Sequence, residues 1–139
     1  MDNLLNWLSL GAAAIGGVIG WFFGGLNSLI YMLIAFIVVD YLVGVARAIA
    51  EKKLSSEIGA KGITKKVVIF LLVGIAHLLD VEILGAGDAL RNAVIFFYIA
   101  NEGISILENA AHLGLPIPKK LKSILKQLHH TEEDEQDGN

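Results

Sequence analysis

The segment from Asp88 to Leu113 most constrains how this chain can fold, because it is apolar enough to cross a membrane and yet carries charges. At 3.6 residues per turn, its polar side chains fall on one helical stripe. They are Arg91, Tyr98, Asn101, Glu102, Ser105, Glu108, Asn109 and His112. About ten apolar residues on the other side favour insertion by on the order of 4 to 5 kcal/mol, whereas one central carboxylate costs about 2.5 to 3.5 kcal/mol. The segment therefore needs partner helices or water beside its stripe.

The composition indicates a membrane protein. The 139 residues have a mean hydropathy of +0.63, and 55% are hydrophobic while 18% are charged. A soluble domain of this size would not normally contain several apolar runs of membrane-spanning length, so we expect one all-α integral membrane domain over residues 1–115. A net charge of −3 and the lack of a recognisable motif argue against nucleic-acid binding. The chain has no cysteine, and we expect neither a metal nor a cofactor.

Four segments are expected to form transmembrane helices, at about 4–25, 28–50, 67–84 and 89–113. Alternatively, the first segment lies on the bilayer surface as an interfacial helix, which would leave three transmembrane helices. Within it, Gly16, Gly20 and Gly24 recur every four residues, the spacing of close small-residue packing between helices. No Lys or Arg precedes its apolar part, so we do not expect a cleaved signal peptide.

Polar residues also share one face of the second segment. Asp40, Gly44, Arg47 and Glu51 follow one another at steps of four, three and four residues. On a structural interpretation, Asp40 is satisfied by a neighbouring helix and Arg47 reaches the interface. On a functional interpretation, the face is hydrated or contacts another copy, and the sequence leaves both open.

Residues 51–66 are expected to form a polar cytoplasmic loop, because lysines cluster there beside membrane ends. The loop lacks the Gly-x-x-x-x-Gly-Lys-Ser/Thr pattern of phosphate binding. In the following segment, His77 and Asp80 lie one turn apart and form either a proton relay or a hydrogen bond at the helix end.

The C-terminal part, residues 116–139, is expected to be cytoplasmic. Pro116 and Pro118 stop the preceding helix, and Lys119–Leu128 then forms a short basic amphipathic helix suited to an anionic membrane surface. Its lysines are Lys119, Lys120, Lys122 and Lys126. The acidic end, HHTEEDEQDGN, has no apolar residue and is expected to be disordered.

The lysine positions predict the orientation. Both 51–66 and 119–126 should face the cytoplasm, which leaves the acidic turn at 80–91 outside. Four spans then place both termini inside, and three place the N-terminus outside.

The sequence argues against catalysis, since Gly-x-Ser-x-Gly, His-Glu-x-x-His and Gly-x-Gly-x-x-Gly patterns are absent. Glu102 and Glu108 point in different directions around their helix, which does not suit a catalytic carboxylate pair. Three or four helices are too few to enclose a wide aqueous path. The polar stripes therefore predict a homo-oligomer within the lipid bilayer.

Three stretches resemble the phage lysis and toxin-secretion holin family. They are DYLVGVARAIAEKKLSSEIGAKGITKK at 40–66, HLLD at 77–80 and LRNAVIFFYIANEGISILENAAHLGLPIPKKLKSIL at 90–125. The resemblance implies a small protein that accumulates in the bacterial cytoplasmic membrane, oligomerises and permeabilises it. The functional partner would be a cell-wall-degrading endolysin or, in secretion variants, a large toxin. The alternatives are a small ion channel or transporter subunit and an antiholin-type regulator.

Periodicity, not the resemblance, assigns roles to single residues. Close helix packing is expected from Gly16, Gly20 and Gly24. The candidates for lining a pore or an oligomer interface are Asp40, Gly44, Arg47, Asn101, Glu102, Ser105, Glu108 and Asn109.

Overall fold

All regular structure in the described part of the chain is helical, as the sequence predicted. The computed structural model describes residues 1–85 and 87–137, with side-chain surroundings as far as Leu128. The elements are α1 (Asp2–Phe23), α2 (Ser28–Ala50), α3 (Ser56–Leu79) continued by a π-helical turn (Asp80–Leu84), α4 (Ala89–His112) and α5 (Lys119–Asp137).

Short polar caps separate the first three helices. Gly24 ends α1 in the left-handed conformation with φ of 77°, which favours a residue without a Cβ. The Asn27 side chain accepts a hydrogen bond from the Ile30 amide at 3.2 Å and starts α2. Ser55 does the same for α3 through the Ile58 amide, also at 3.2 Å. Each cap lets the chain reverse within a few residues.

Helix α3 begins eleven residues earlier than the predicted span, at Ser56 rather than 67. The predicted loop at 51–66 is therefore wrong over most of its length, because the Ser55 cap and Glu57 in the first turn start a helix. Gly59 and Gly62 do not break that helix. A Cβ at either glycine would lie 3.4 Å from the Tyr41 side chain, so the two glycines leave room on α3 for that ring.

The core lies between α2, α3 and α4. Helix α4 packs extensively on α2 and also on α3, whereas α2 and α3 contact each other little. The buried cluster consists of Ile30, Leu33, Ile37, Ile69, Val73, Ile95 and Ile99. Crevices remain between α2 and α3 and between α3 and α4.

Helix α1 lies at the edge of this bundle and has no buried residue. It is held at its C-terminal end, where the Phe22 ring occupies the space that a side chain on Gly74 would fill. Phe23 packs on Phe70 with ring centroids 5.8 Å apart. Nothing lies within 4 Å of a Cβ at Gly16, and a Cβ at Gly20 would meet only Leu26 at 4.0 Å, whereas a Cβ at Gly24 would overlap the His77 ring of α3. Of the predicted small-residue face, only the Gly24 end packs against a helix of the same chain.

Three helices of the described chain are long and apolar enough to cross a membrane: α1, α2, and α3 with its π-helical continuation, Ser56–Leu84. Helix α4 carries the polar stripe and is not among them. Its 24 residues nevertheless extend about 36 Å, enough to cross the hydrocarbon core of about 30 Å.

Helix α5 continues to Asp137, through the acidic segment for which the sequence predicted disorder. No Gly or Pro lies between Lys119 and Asp137, and Glu, Gln and Lys all favour helix. The first helix breaker is Gly138.

We predict that an impermeant maleimide will label cysteine at Asp88→Cys in intact cells and will not label Asn3→Cys. The reason is that the turns after α1 and before α4 lie at one end of the bundle, where Arg91 bonds to the carbonyls of Phe23 and Gly25. Lysines lie at the other end. Lys53→Cys serves as a control that reacts only after permeabilisation. Labelling of Asn3→Cys from outside would exclude the four-span topology.

Candidate functional site

Three charged side chains from three helices meet inside the bundle. The Lys66 ammonium on α3 donates to Asp40 Oδ2 on α2 and to Glu102 Oε2 on α4, both at 2.5 Å. The two carboxylate residues are 5% and 6% exposed. We call Asp40, Lys66 and Glu102 the charge cluster. It joins the three core helices through one ammonium.

The charge cluster lies at one level of the bundle. Asp40 precedes the end of α2 by ten residues, Lys66 follows the start of α3 by ten, and Glu102 precedes the end of α4 by ten. At a rise of 1.5 Å per residue, each lies about 15 Å from its helix end. In helices that span a hydrocarbon core of about 30 Å, this is the middle. Charges at that depth require partners within the protein or water.

The cluster is not neutral when all three groups are ionised, because two carboxylates face one ammonium. The Asn109 side-chain amide donates a hydrogen bond to Asp40 Oδ1 at 3.5 Å. This bond stabilises the carboxylate oxygen that Lys66 does not contact. Paired groups of this kind are costly to bury, and removing one partner costs more still. The cluster is therefore sensitive to any change in its neighbours.

A chain of polar contacts leads from the cluster towards the lysine-rich end of α2. Arg47 Nη1 donates to Asn109 Oδ1, and Arg47 Nε donates to Glu51 Oε1, each at 3.2 Å. The hydrogen bond from Arg47 lowers the pKa of the exposed Glu51 carboxyl. A Cβ at Gly44 would lie 3.7 Å from the Asn109 amide, so the two helices approach closely there.

Two crevices reach the charge cluster from opposite sides. A cavity of about 190 Å³ between α2 and α3 is lined by Asp40, Tyr41, Lys66 and Asn109, together with the glycines at 44, 59 and 62. A cavity of about 380 Å³ between α3 and α4 is lined by Lys66, Tyr98, Asn101 and Glu102. A water molecule occupies about 30 Å³ of liquid, so each crevice has room for several waters. The cluster is thus buried but not sealed.

The structure brings some of the predicted residues together and separates others. Asp40, Gly44, Arg47, Glu102 and Asn109 form the contacts described above. Ser105 is half-buried on the same helix, whereas Asn101 and Glu108 are exposed. Glu108 faces α5 across a cavity of about 210 Å³.

Lys66 is the site residue that the sequence analysis missed, because it was assigned to the cytoplasmic loop. The signal was present in its spacing. Lys66 falls on one helical face with Gly62, Ile69, Val73 and Ala76, at steps of four and three, and the last three are buried.

A second polar cluster closes the other end of the bundle. Asp80 is fully buried and accepts hydrogen bonds from the amides of Leu90 at 3.0 Å and Arg91 at 2.8 Å. Asp80 thereby caps α4 rather than pairing with His77, whose buried Nδ1 has no partner among the described residues. The side chain of Arg91 donates to the Phe23 carbonyl at 2.5 Å and to the Gly25 carbonyl at 3.0 Å. The expected pairing of His77 with Asp80 is therefore wrong, both as a proton relay and as a hydrogen bond at the helix end, because Asp80 is taken up by the first amides of α4.

The predicted membrane-surface helix, α5, turns back and packs along α4. Leu125 is 6% exposed against Gly103, whereas Leu121 and Ile124 of the same helix are 44% and 47% exposed. The exposed lysines are Lys119, Lys120, Lys122 and Lys126. Within the described residues, no group of three His, Asp or Glu side chains is arranged to hold a metal ion.

Comparison with known proteins gives one consistent family. The model of the bacteriophage holin family matches residues 17–130. A probable holin of Bacillus phage phi105 is 38% identical over 114 residues, covering 82% of this chain and 81% of the relative. An uncharacterized 14.9 kDa protein in the nagH 3' region of Clostridium perfringens is 43% identical over 130 residues, covering 94% and 98%. The uncharacterized protein Lin0175 of Listeria innocua is 46% identical over 118 residues, covering 85% and 84%. No solved structure matches the chain.

Replacing Lys66 with Met is expected to destabilise the bundle by on the order of 3 kcal/mol, because two buried carboxylates lose their shared partner. Thermal unfolding of the purified protein in detergent measures the loss. The matched control is Lys65→Met, since Lys65 is exposed. Adding Asp40→Asn and Glu102→Gln to Lys66→Met should restore much of the stability. Equal melting temperatures for Lys66→Met and Lys65→Met would contradict the structural role of the cluster.

Proposed function

The chain belongs to the bacteriophage holin family, and on that premise we propose that it oligomerises in the bacterial cytoplasmic membrane and permeabilises it. The released cargo is a cell-wall-degrading endolysin or a large toxin. The observation that carries this proposal is the charge cluster, which lies about 15 Å from the ends of its helices, two of which, α2 and α3, are long and apolar enough to cross a membrane. A protein of this kind needs no catalytic group, and we propose no enzymatic activity.

The charge cluster and the contacts beside it supply polar groups that can exchange partners. In a single copy, Lys66 neutralises Asp40 and Glu102 internally, and Asn109 links Asp40 to Arg47. This pairing lets the helices accumulate in lipid. On assembly, the same side chains contact neighbouring copies or line the wall of a water-filled lesion, where hydration replaces the internal pairs.

Exposed polar groups on α4 favour the assembly of several copies over single copies dispersed in the bilayer. Asn101 and Glu108 are exposed in the single copy, on a helix long enough to span the membrane. Facing acyl chains would cost each of them free energy. Contact with another copy, or with water inside an assembly, removes that cost. The apolar α1, with no residue buried in its own chain, adds further surface for packing against lipid or a neighbour.

Several copies are needed for release of a protein. The crevices in one copy hold about 190 Å³ and 380 Å³, which admits waters and ions but not a folded enzyme. A lesion wide enough for a folded endolysin must therefore be bounded by many copies. We place the C-terminus and the lysine-rich end of the bundle in the cytoplasm.

Co-expression with a cytoplasmic endolysin that lacks its own export signal tests the proposed release. We expect lysis only when both proteins are present, together with the appearance of active enzyme outside the cytoplasmic membrane. A small ion channel would instead dissipate ion gradients while the enzyme stayed inside. An antiholin-type regulator would delay lysis by a related holin and would not cause lysis alone. Either result would overturn the proposal.

Replacing Glu102 with Leu should preserve insertion while abolishing or retiming lysis. The substitution leaves the Lys66–Asp40 ion pair intact and removes the carboxylate that α4 contributes to the cluster. Turbidity of a culture producing the endolysin measures the time of lysis, and immunoblots of membrane fractions measure accumulation. Glu57→Gln, in the exposed first turn of α3, is the control. Unchanged timing at equal accumulation would remove Glu102 from the mechanism.

A further inference from the structure

The contact between α5 and α4 is built around one glycine. A Cβ placed on Gly103 would lie 2.8 Å from Leu125 Cδ2 and 3.2 Å from Phe36 Cε2, so the groove exists because Gly103 has no side chain. Leu125 fills this groove and is 6% exposed. The sequence predicted that α5 would lie on the membrane surface. The structure instead gives α5 a fitted docking site on the same chain.

Docking of α5 leaves most of its apolar side chains exposed. Of the apolar side chains on α5, Leu125 alone is buried among the described residues, while Leu121, Ile124 and Leu128 remain 44%, 47% and 39% exposed. Beside Leu125, a cavity of about 210 Å³ remains between the two helices. The cavity is lined by α4, by Ile117 of the connector, and by Lys122 and Lys126 of α5. The α4 residues are Ile104, Leu107, Glu108 and Ala111.

The depth of this contact excludes lipid from the outer side of α5. Gly103 lies nine residues, about 13 Å, from the end of α4 at His112. When α4 spans the membrane, docking of Leu125 at Gly103 carries Lys122 and Lys126 towards the level of the hydrocarbon core. Lysines at that level require water or protein around them. The α5 side of α4 is therefore a face on which copies meet or water collects.

The connector between α4 and α5 is long enough to reach a neighbouring copy. Residues 113–118 are not helical and include Gly114, whose φ is 87°, and two prolines. Six residues span up to about 20 Å when extended. Packed helices lie about 8 to 10 Å apart, so the connector can place α5 on the α4 groove of an adjacent copy. Every copy carries both the groove and the helix that fits it.

We propose that α5 is an exchangeable element: it occupies the α4 groove of its own chain in an isolated copy and the groove of the next copy in the assembly. Exchange of an identical element is a low-cost route to self-association. Because each copy gives α5 to one neighbour and receives it from another, the contact is head-to-tail. Repetition of such a contact closes into a ring or extends as a filament. This inference adds the interface to the self-association proposed above and rests on it.

Disulfide trapping between two differently tagged copies tests the exchange, and the native chain offers no background thiol. One copy carries Leu107→Cys and the other carries Lys122→Cys, positions that line the same cavity. We expect a disulfide-linked heterodimer after oxidation of membranes in which both copies accumulate. Pairing Leu107→Cys with Lys61→Cys, on an exposed part of α3, is the control and should give none. A second pair, Ile104→Cys with Lys126→Cys, lines the same cavity, leaves Gly103 and Leu125 in place and reports the contact independently.

Placing both cysteines, at Leu107 and Lys122, in one chain distinguishes the alternatives. Oxidation at low accumulation should form a bond within the chain, and this lock should delay lysis until a reductant is added. Bonds confined to single chains at every level of accumulation, with no heterodimer from either pair, would overturn the exchange. The experiment measures disulfide formation between copies and does not depend on lysis. Heterodimers without lysis would therefore contradict the holin function alone, and lysis without heterodimers would contradict the exchange alone.

Discussion

The architecture depends on one ammonium that two carboxylates share. Lys66 binds Asp40 and Glu102 and thereby ties α3 to both α2 and α4, while α2 and α3 themselves have little contact. The remaining buried core is aliphatic, and its side chains do not determine which helices pair with one another. In lipid the apolar side chains have little preference for one another over acyl chains, so polar contacts and close packing determine which helices pair. The charge cluster fixes the arrangement of the bundle.

At the opposite end of the bundle, Asp80 and Arg91 organise the connections rather than the core. Asp80 holds the first amides of α4, and Arg91 holds the last carbonyls of α1 and its turn. Helix α1 has few other attachments, since Phe22 and Phe23 pack on α3 and no residue of α1 is buried. The molecule thus has a three-helix centre, with α1 attached at its C-terminal end and α5 packed along α4.

Sequence reasoning predicted the helices and the polar faces because both follow from periodicity. Asp40 and Glu102 fell on inward stripes, and the structure joins them. Lys66 was missed because a run of lysines with two glycines is also typical of a cytoplasmic loop, and only tertiary contact with Tyr41 explains those glycines. The docking of α5 was not predictable, since an amphipathic pattern suits a membrane surface and a helical groove equally. Gly103 is the feature that decides between them, and its neighbours are visible only in three dimensions.

The central claim is that charges and amides at mid-depth are sheltered first within one copy and then by sister copies. The most direct measurement is the number of copies per particle, by native mass spectrometry of the untagged chain extracted with its surrounding lipid when the membrane becomes permeable. The account predicts particles containing several copies at that moment and single copies before it. Particles that contain single copies throughout, while a folded enzyme crosses the membrane, would contradict it.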